Sequence, residues 1–289
     1  MEIDNALVIG GAGFIGSNLS NTLSAMKIPV TVLDNLSTGN TSNLHDDIDL
    51  VVGQSVNIKN LLKSNRFSHV FHFGEYSRVE QSFLEFDKVF DYNIKSFGEV
   101  LSYCGETSAK LIYSASSTSL TEERYRGESL SPYTLSKNIN AALLRNYSKW
   151  FNLEYVILYF YNVYGSNEIS RGKYATVVAK YLELLARGAK KLPVNAPGTQ
   201  RRHFTHIEDV ISGVIIAAKL GYGDDFCIGA EEAFSIIDLV NLMGAEPDIV
   251  KSPPGNRHVN KQNLLKIKEL GWTQNYNLET YIRDKRAVK

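Results

Sequence analysis

The stretch "ALVIGGAGFIGSNLSNTL", residues 6 to 23, constrains the possible folds more than any other segment of this chain. A short apolar run leads into a glycine-rich turn, and Phe14, Ile15, Leu19 and Leu23 then recur at helical spacing, so the order is strand, turn, helix. Gly10 and Gly11 permit the tight turn, Gly13 lets the backbone approach a pyrophosphate, and Gly16 lets helix and strand pack closely. The helix N-terminus would then face the phosphates with its free N–H groups. A glycine pattern of this kind is weak evidence by itself. Here it is followed by "PVTVLD", a second strand ending in Asp34, at the distance where a carboxylate can accept hydrogen bonds from an adenosine ribose. The same negative charge repels a 2′-phosphate, which favours NAD over NADP.

The alternation continues with "HVFHFG" at 69 to 74, a helix from about Phe86 to Cys104, "KLIYSAS" at 110 to 116, a helix from Pro132, and "YVILYF" at 155 to 160. This pattern predicts an α/β fold of the Rossmann type, with a doubly wound parallel sheet. The polar loop "GSNEISRGK", 165 to 173, is the nearest thing to a boundary, and the pattern beyond it is less regular. We expect a dinucleotide-binding domain over 1–165 and a smaller C-terminal substrate-binding α/β domain over 166–289, with some segments returning to the first.

Composition excludes several classes. A chain of 289 residues with 44% hydrophobic content can bury a sizeable core. Lys plus Arg and Asp plus Glu both total 31, so no global field would hold a nucleic acid or an anionic membrane, and any anionic ligand must be bound locally. The apolar stretches are strand-length and the start "MEIDNALVIG" is not a basic leader, so a cytoplasmic protein is expected. Cys104 and Cys227 lie far apart and form no metal-ligand cluster with the six histidines, so buried thiols and no metal are expected.

In "SPYTLSKNINAALLRNY", 131 to 147, Ser131 can cap a helix and Pro132 suits its first turn. Tyr133 and Lys137 then stack one turn apart, with Leu144 on their face and Leu135, Ile139 and Leu143 on the far side. Apolar residues on both sides predict a sandwiched helix. A Tyr and a Lys four apart are common on surface helices, so the pair gains meaning only in company.

That company exists. Gly10, Gly13 and Gly16, "DNLSTGN" after the second strand, "YSASSTS" after a later one and Tyr133-x-x-x-Lys137 resemble the extended short-chain dehydrogenase/reductase family, specifically its nucleotide-sugar epimerases and dehydratases, of which UDP-glucose 4-epimerase is the type. Asn93 in "YNIKSFG", Asn162 in "FYNVYG", Gln200 and Arg202 in "GTQRRHFTHIEDV" and "LGW" at 270 to 272 extend the match over nearly the whole chain. The resemblance implies bound NAD, contacted by Gly10, Gly13, Phe14, Ile15, Gly16, Asp34, Asn35, Ser37, Thr38, Gly39, Phe73, Gly74, Asn93, Ser114, Tyr133, Lys137 and Tyr161. It also implies a catalytic set in which Tyr133 takes a sugar hydroxyl proton, the Lys137 ammonium favours the phenolate and bonds the nicotinamide ribose, and Ser116 donates to the same sugar oxygen. Ser114 and Ser117 are the neighbours with which Ser116 is most easily confused.

For the substrate, the resemblance implies a nucleoside-diphosphate sugar. Arg202 and Arg257 are the cationic anchors, since guanidinium forks suit phosphate oxygens. Asn162, Thr176, Val177, Ser116, Ser117 and Tyr133 complete that set, and a homodimer through the helices around Phe90 to Leu101 and Leu135 to Trp150 is implied as well. The 4,6-dehydratases of the family follow the triad hydroxyl with Asp and Glu, where this chain has Ser117 and Thr118, and hydroxyls are poor substitutes for a carboxyl pair in moving protons. The reading left is hydride chemistry alone: a 4-epimerase, or a dehydrogenase that releases the keto-sugar. A cofactor-sensing binding protein is the third reading, against which the intact Ser116, Tyr133 and Lys137 speak. The chain also departs from the family. "GEYSRVEQS", 74 to 82, places Glu75 where a small residue is usual, either as a rim residue or as a substrate contact or added acid/base, with Arg78 and Glu80 near enough in sequence to pair with it.

Overall fold

The computed structural model describes residues 1–120, 129–255 and 262–287. Seven strands form one all-parallel sheet: β1 (Ala6–Ile9), β2 (Val30–Asp34), β3 (Asp49–Val52), β4 (His69–His72), β5 (Lys110–Ser116), β6 (Tyr155–Phe160) and β7 (Gly223–Ile228), in the order β7-β6-β5-β4-β1-β2-β3. Strands buried on both faces read as continuous apolar runs, and this is why "ALVI" and "YVILYF" carry no polar alternation. Their side chains divide between two cores. Val8, Val32, Phe71 and Ile112 meet Leu19 and Leu23 of α1 (Phe14–Ala25) on one face. Leu7, Leu111 and Tyr113 meet Phe97 and Val100 of α2 (Ser96–Thr107) and Leu144 of α3 (Pro132–Phe151) on the other.

The strand order reverses between β1 and β4, and in open parallel sheets such a switch point opens a crevice beyond the strands' carboxyl ends. The chain beyond residue 165 returns to this sheet through β7, which pairs with β6. The rest of that region is a set of short pairs. Asn162–Tyr164 pairs with Phe204–His206, Lys191–Asn195 with Glu246–Val250, and Arg201–Arg202 with Phe234–Ser235, packed around a third core that includes Tyr164, Tyr181, Phe204, Leu239 and Ile282. Helix α2 is preceded by Phe86–Val89 and a wide π turn at Phe90–Lys95, so the helix expected from Phe86 is continuous but irregular.

The sandwiching expected for α3 is only half realised. Its inner face is covered, but in the single chain Ile139 is exposed, Leu135 and Leu143 are half-buried, and Trp150 is 65% exposed. Cys104 and Cys227 are free, buried thiols, and burial raises both above the ordinary thiol range. Among the described residues no helix is long and apolar enough to cross a membrane.

Candidate active site

A cavity of about 710 Å³ lies over the carboxyl ends of β1, β4 and β5, at the switch point. Its first wall is the glycine turn. Gly10 has φ +78°, and a Cβ there would stand 2.5 Å from the Gly74 Cα, so the turn is pressed against the loop after β4. A Cβ on Gly16 would come 2.1 Å from the Gly10 carbonyl oxygen, so the start of α1 can lie on the turn only without a side chain. By contrast, a Cβ on Gly13 would meet just the Gly10 oxygen, at 3.3 Å, which leaves an open cradle facing the cavity. No side chain caps the N-terminus of α1. A free helix N-terminus beside an open glycine is what a pyrophosphate requires.

Asp34, Asn35, Ser37 and Thr38 line the next part of the wall, as do Phe14, Ile15, Phe73, Gly74, Ser114 and Tyr161. Asp34 is buried, its Oδ2 accepting from the Ala12 N–H at 2.9 Å and its Oδ1 from the Leu36 N–H at 2.8 Å. Each oxygen keeps a further lone pair for a ribose hydroxyl. These residues therefore fit NAD. Gly39 is not on this wall, and a Cβ there would be 2.9 Å from Asp34 Oδ1, so the glycine makes room for the carboxylate. Asn93 also stands off the cavity wall. It is fully buried away from the cavity, its Oδ1 accepting from the Tyr76 N–H at 2.7 Å and its Nδ2 donating to the Tyr76 carbonyl and to Ser136 Oγ.

Ser116, Tyr133 and Lys137, brought from β5 and α3, line one cavity. Ser131 Oγ accepts from the Thr134 N–H at 3.1 Å and starts α3, which places Tyr133 in its first turn and Lys137 below. Ser116 Oγ accepts from Thr118 twice, from N–H at 3.2 Å and from Oγ1 at 2.9 Å, so its own proton is left to donate into the cavity. The neighbour Ser114 spends its hydroxyl on the His72 carbonyl at 3.0 Å, which separates its role from that of Ser116. Lys137, 3% exposed, donates to the Ser114 carbonyl at 2.5 Å.

Glu75 is not at the rim. It borders the cavity, but its carboxylate is only 1% exposed and is drawn beneath, with Oε2 2.5 Å from Lys137 Nζ. Asn140 Nδ2 donates to Oε1 at 2.8 Å and the Tyr113 hydroxyl donates to Oε2 at 3.1 Å. Burial alone would raise this carboxyl. The adjacent Lys137 charge and the contact with His72 instead hold it below the usual glutamate range. That position is not one of a solvent-facing acid.

At the other end, Asn162, Thr176, Val177 and Ser117 line the cavity. Arg202 stands apart from its wall, buried in the ribbon with Phe234–Ser235, and desolvation lowers its guanidinium. Arg257 lies outside the described residues. The guanidinium that does reach the wall, beside the ammonium groups of Lys88, Lys137 and Lys173, is that of Arg78, which donates from Nε at 2.8 Å and Nη2 at 2.5 Å to the Tyr174 carbonyl. Its sequence neighbour Glu75 is engaged elsewhere, so the suggested pairing of the two does not form. Glu85 reinforces the same corner. Its Oε1 accepts from Lys88 and Lys173, and its Oε2 accepts from the hydroxyls of Tyr76 and Tyr174. Behind them, burial pushes Glu168 up to about 7. Arg78 was visible in the sequence only as a charge near Glu75; its reach depends on the chain returning through Tyr174, 96 residues on.

Comparison with known proteins agrees with this arrangement. The chain is 26% identical, over 96% of its length and 95% of the other's, to a provisionally named UDP-glucose 4-epimerase of Methanocaldococcus jannaschii. The crystal structure of UDP-glucose 4-epimerase with UDP-glucose from Thermotoga maritima superposes with a TM-score of 0.90 at 25% identity, covering 99% of this chain and 100% of that one. That of the Thermus thermophilus UDP-glucose 4-epimerase complex with NAD gives 0.86 at 25% identity, covering 96% of each. A sequence model of the NAD dependent epimerase/dehydratase family matches residues 6–229, and with the glycine turn, Asp34 and the Ser116, Tyr133 and Lys137 set around one cavity, this chain belongs to that family.

Proposed function

We propose that the protein is an NAD-dependent nucleotide-sugar 4-epimerase working through a transient 4-keto sugar. The observation that carries this reading is that Ser116, Tyr133 and Lys137 share a cavity with the dinucleotide turn, while hydroxyls, Ser117 and Thr118, follow where a dehydratase needs carboxyls. Gly10, Gly13, Phe14 and Ile15 would hold the pyrophosphate, and Asp34 a ribose. When bound, NAD supplies the acceptor for the C4 hydride and gives it back. The Tyr133 phenol takes the C4 hydroxyl proton and returns it, and the Ser116 hydroxyl donates to the same oxygen. Lys137 holds positive charge under the phenol. No group in this set can expel water from C6, so the sugar leaves with its mass unchanged.

Asn162, Thr176 and Val177 are read as contacts to the nucleotide-sugar, and Arg202 and Arg257 as distant to that wall or outside the described residues. The exposed Ile139 and Trp150 of α3 are read as part of a face between two copies of the chain. Incubation with a panel of nucleotide sugars, with products resolved by chromatography and mass, tests the reaction. An epimer of equal mass with no net reduced nicotinamide is expected. A product lighter by two hydrogens would make the enzyme a dehydrogenase, and one lighter by water a dehydratase.

A further inference from the structure

The carboxylate beneath Lys137 has no part in the proton step just described, yet the fold goes to some length to keep it there. Glu75 enters from the loop after β4, and its partners come from three elements: His72 at the end of β4, Tyr113 of β5, and Lys137 and Asn140 of α3. The His72 ring stacks on Phe97 and Tyr113, with Nε2 3.3 Å from Glu75 Oε1, so the pocket around the carboxylate is shaped by aromatic rings. The groups of variable or fixed charge around the pair are His72, Tyr113, Tyr133 and, across the cavity, Arg78, whose fork is held by the Tyr174 carbonyl. In a site this buried, charges in contact act with little screening. An ammonium with a carboxylate at 2.5 Å presents a dipole to a third group, and not a full charge.

We propose that Glu75 is a positioning residue for the proton step: by pairing with Lys137 it fixes the ammonium and withholds most of its charge from Tyr133, so that activity rises with pH later than Lys137 alone would set. The inference rests on Tyr133 acting as the base of the proposed reaction. Removing the carboxylate leaves a buried ammonium whose remaining acidic neighbours are the phenols of Tyr133 and Tyr113, and an uncompensated cation favours the ionised phenol.

Glu75→Gln removes the charge at nearly constant volume. The acid limb of its kcat/KM profile should move to lower pH by about one unit. The step in phenolate ultraviolet absorbance that depends on Tyr133, isolated by subtracting Tyr133→Phe in each background, should move the same way, and should persist when Tyr113 is changed to Phe. Glu75→Asp retains the charge and should stay nearer the parent than the Gln variant. Equal absorbance midpoints in parent and Glu75→Gln, or a move to higher pH, would overturn the proposal. The absorbance step needs neither substrate nor turnover, so a shift in a protein that epimerises no sugar would sink the proposed reaction while supporting this inference. Should Glu75→Gln fail to fold, carboxyl-carbon NMR of the unaltered protein decides: Glu75 should show no titration step near the ordinary value of about 4.3, and a step there would refute the ion pair.

Discussion

At the glycine-turn end of the cavity the walls are made of backbone: Gly10 against Gly74, Gly16 against Gly10, and N–H groups of Ala12 and Leu36 on Asp34. Towards the other end, which the proposed function gives to the sugar, they are made of long side chains from separated elements, with Arg78 reaching Tyr174, Glu85 gathering four donors, and Glu75 lying under Lys137. The first end is fixed by conformations and close approaches that only certain residues allow, so Gly10 and Gly16 tolerate no added atom. The second is fixed by polar pairing, in which one partner can be exchanged at moderate cost while the fold stands. Under the proposed function, binding of NAD and selection of a particular sugar would thus fall to materials of different stiffness.

The sharpest way to break this contrast is Gly16→Ala, whose Cβ would come 2.1 Å from the Gly10 oxygen. A loss of about 3 kcal/mol in denaturant unfolding is expected, with NAD binding lost in a fluorescence titration. A variant that folds and binds NAD like the parent would show the backbone end to be compliant after all. Tyr133→Phe should cost activity about a hundredfold to ten-thousandfold, with NAD affinity and circular dichroism unchanged. Undiminished turnover would remove the phenol from the chemistry.

The third test concerns the stability of the side-chain end. Burial raises Glu168 to about 7, so the folded protein holds a proton that the unfolded chain releases near 4.3. The sign follows: the group's penalty is absent below about pH 4.3, stability falls as pH rises from there to about 7, and it levels off above. About 3 kcal/mol should be lost across that window, and Glu168→Gln should flatten it in urea unfolding at several pH values. The smallest effect belongs to Arg78→Met, which frees the Tyr174 loop. Nucleotide-sugar KM should rise about tenfold with NAD affinity unchanged, and an equal loss of both would merge the two ends into one unit.

Legibility in the sequence follows the same division. Turn, strand and helix at the glycine end are local consequences of Gly10, Gly13, Gly16 and the apolar runs, and each can be placed within a few residues. The strand end and the helix cap that position Ser116, Tyr133 and Lys137 are local as well, while the reading of the three as a set comes from the family resemblance. The partners of Asn93 are not legible, since an asparagine's hydrogen bonds are whatever the fold brings, here with Tyr76 and Ser136. The place of Glu75 is not legible for a similar reason. Its environment is assembled from Tyr113 and Asn140, 38 and 65 residues away, and no local pattern announces a buried counter-ion. Arg202 carries a phosphate-binding appearance in sequence, but the ribbon it belongs to keeps it off the cavity wall.

The double engagement of Asp34 has a practical result for anyone wishing to retool this enzyme. Its two oxygens stitch residue 12 to residue 36, so a swap to a neutral side chain meant to admit a phosphorylated dinucleotide would also unfasten the loop that carries the new preference. Redesign would have to restore those two stitches before any change of coenzyme became visible.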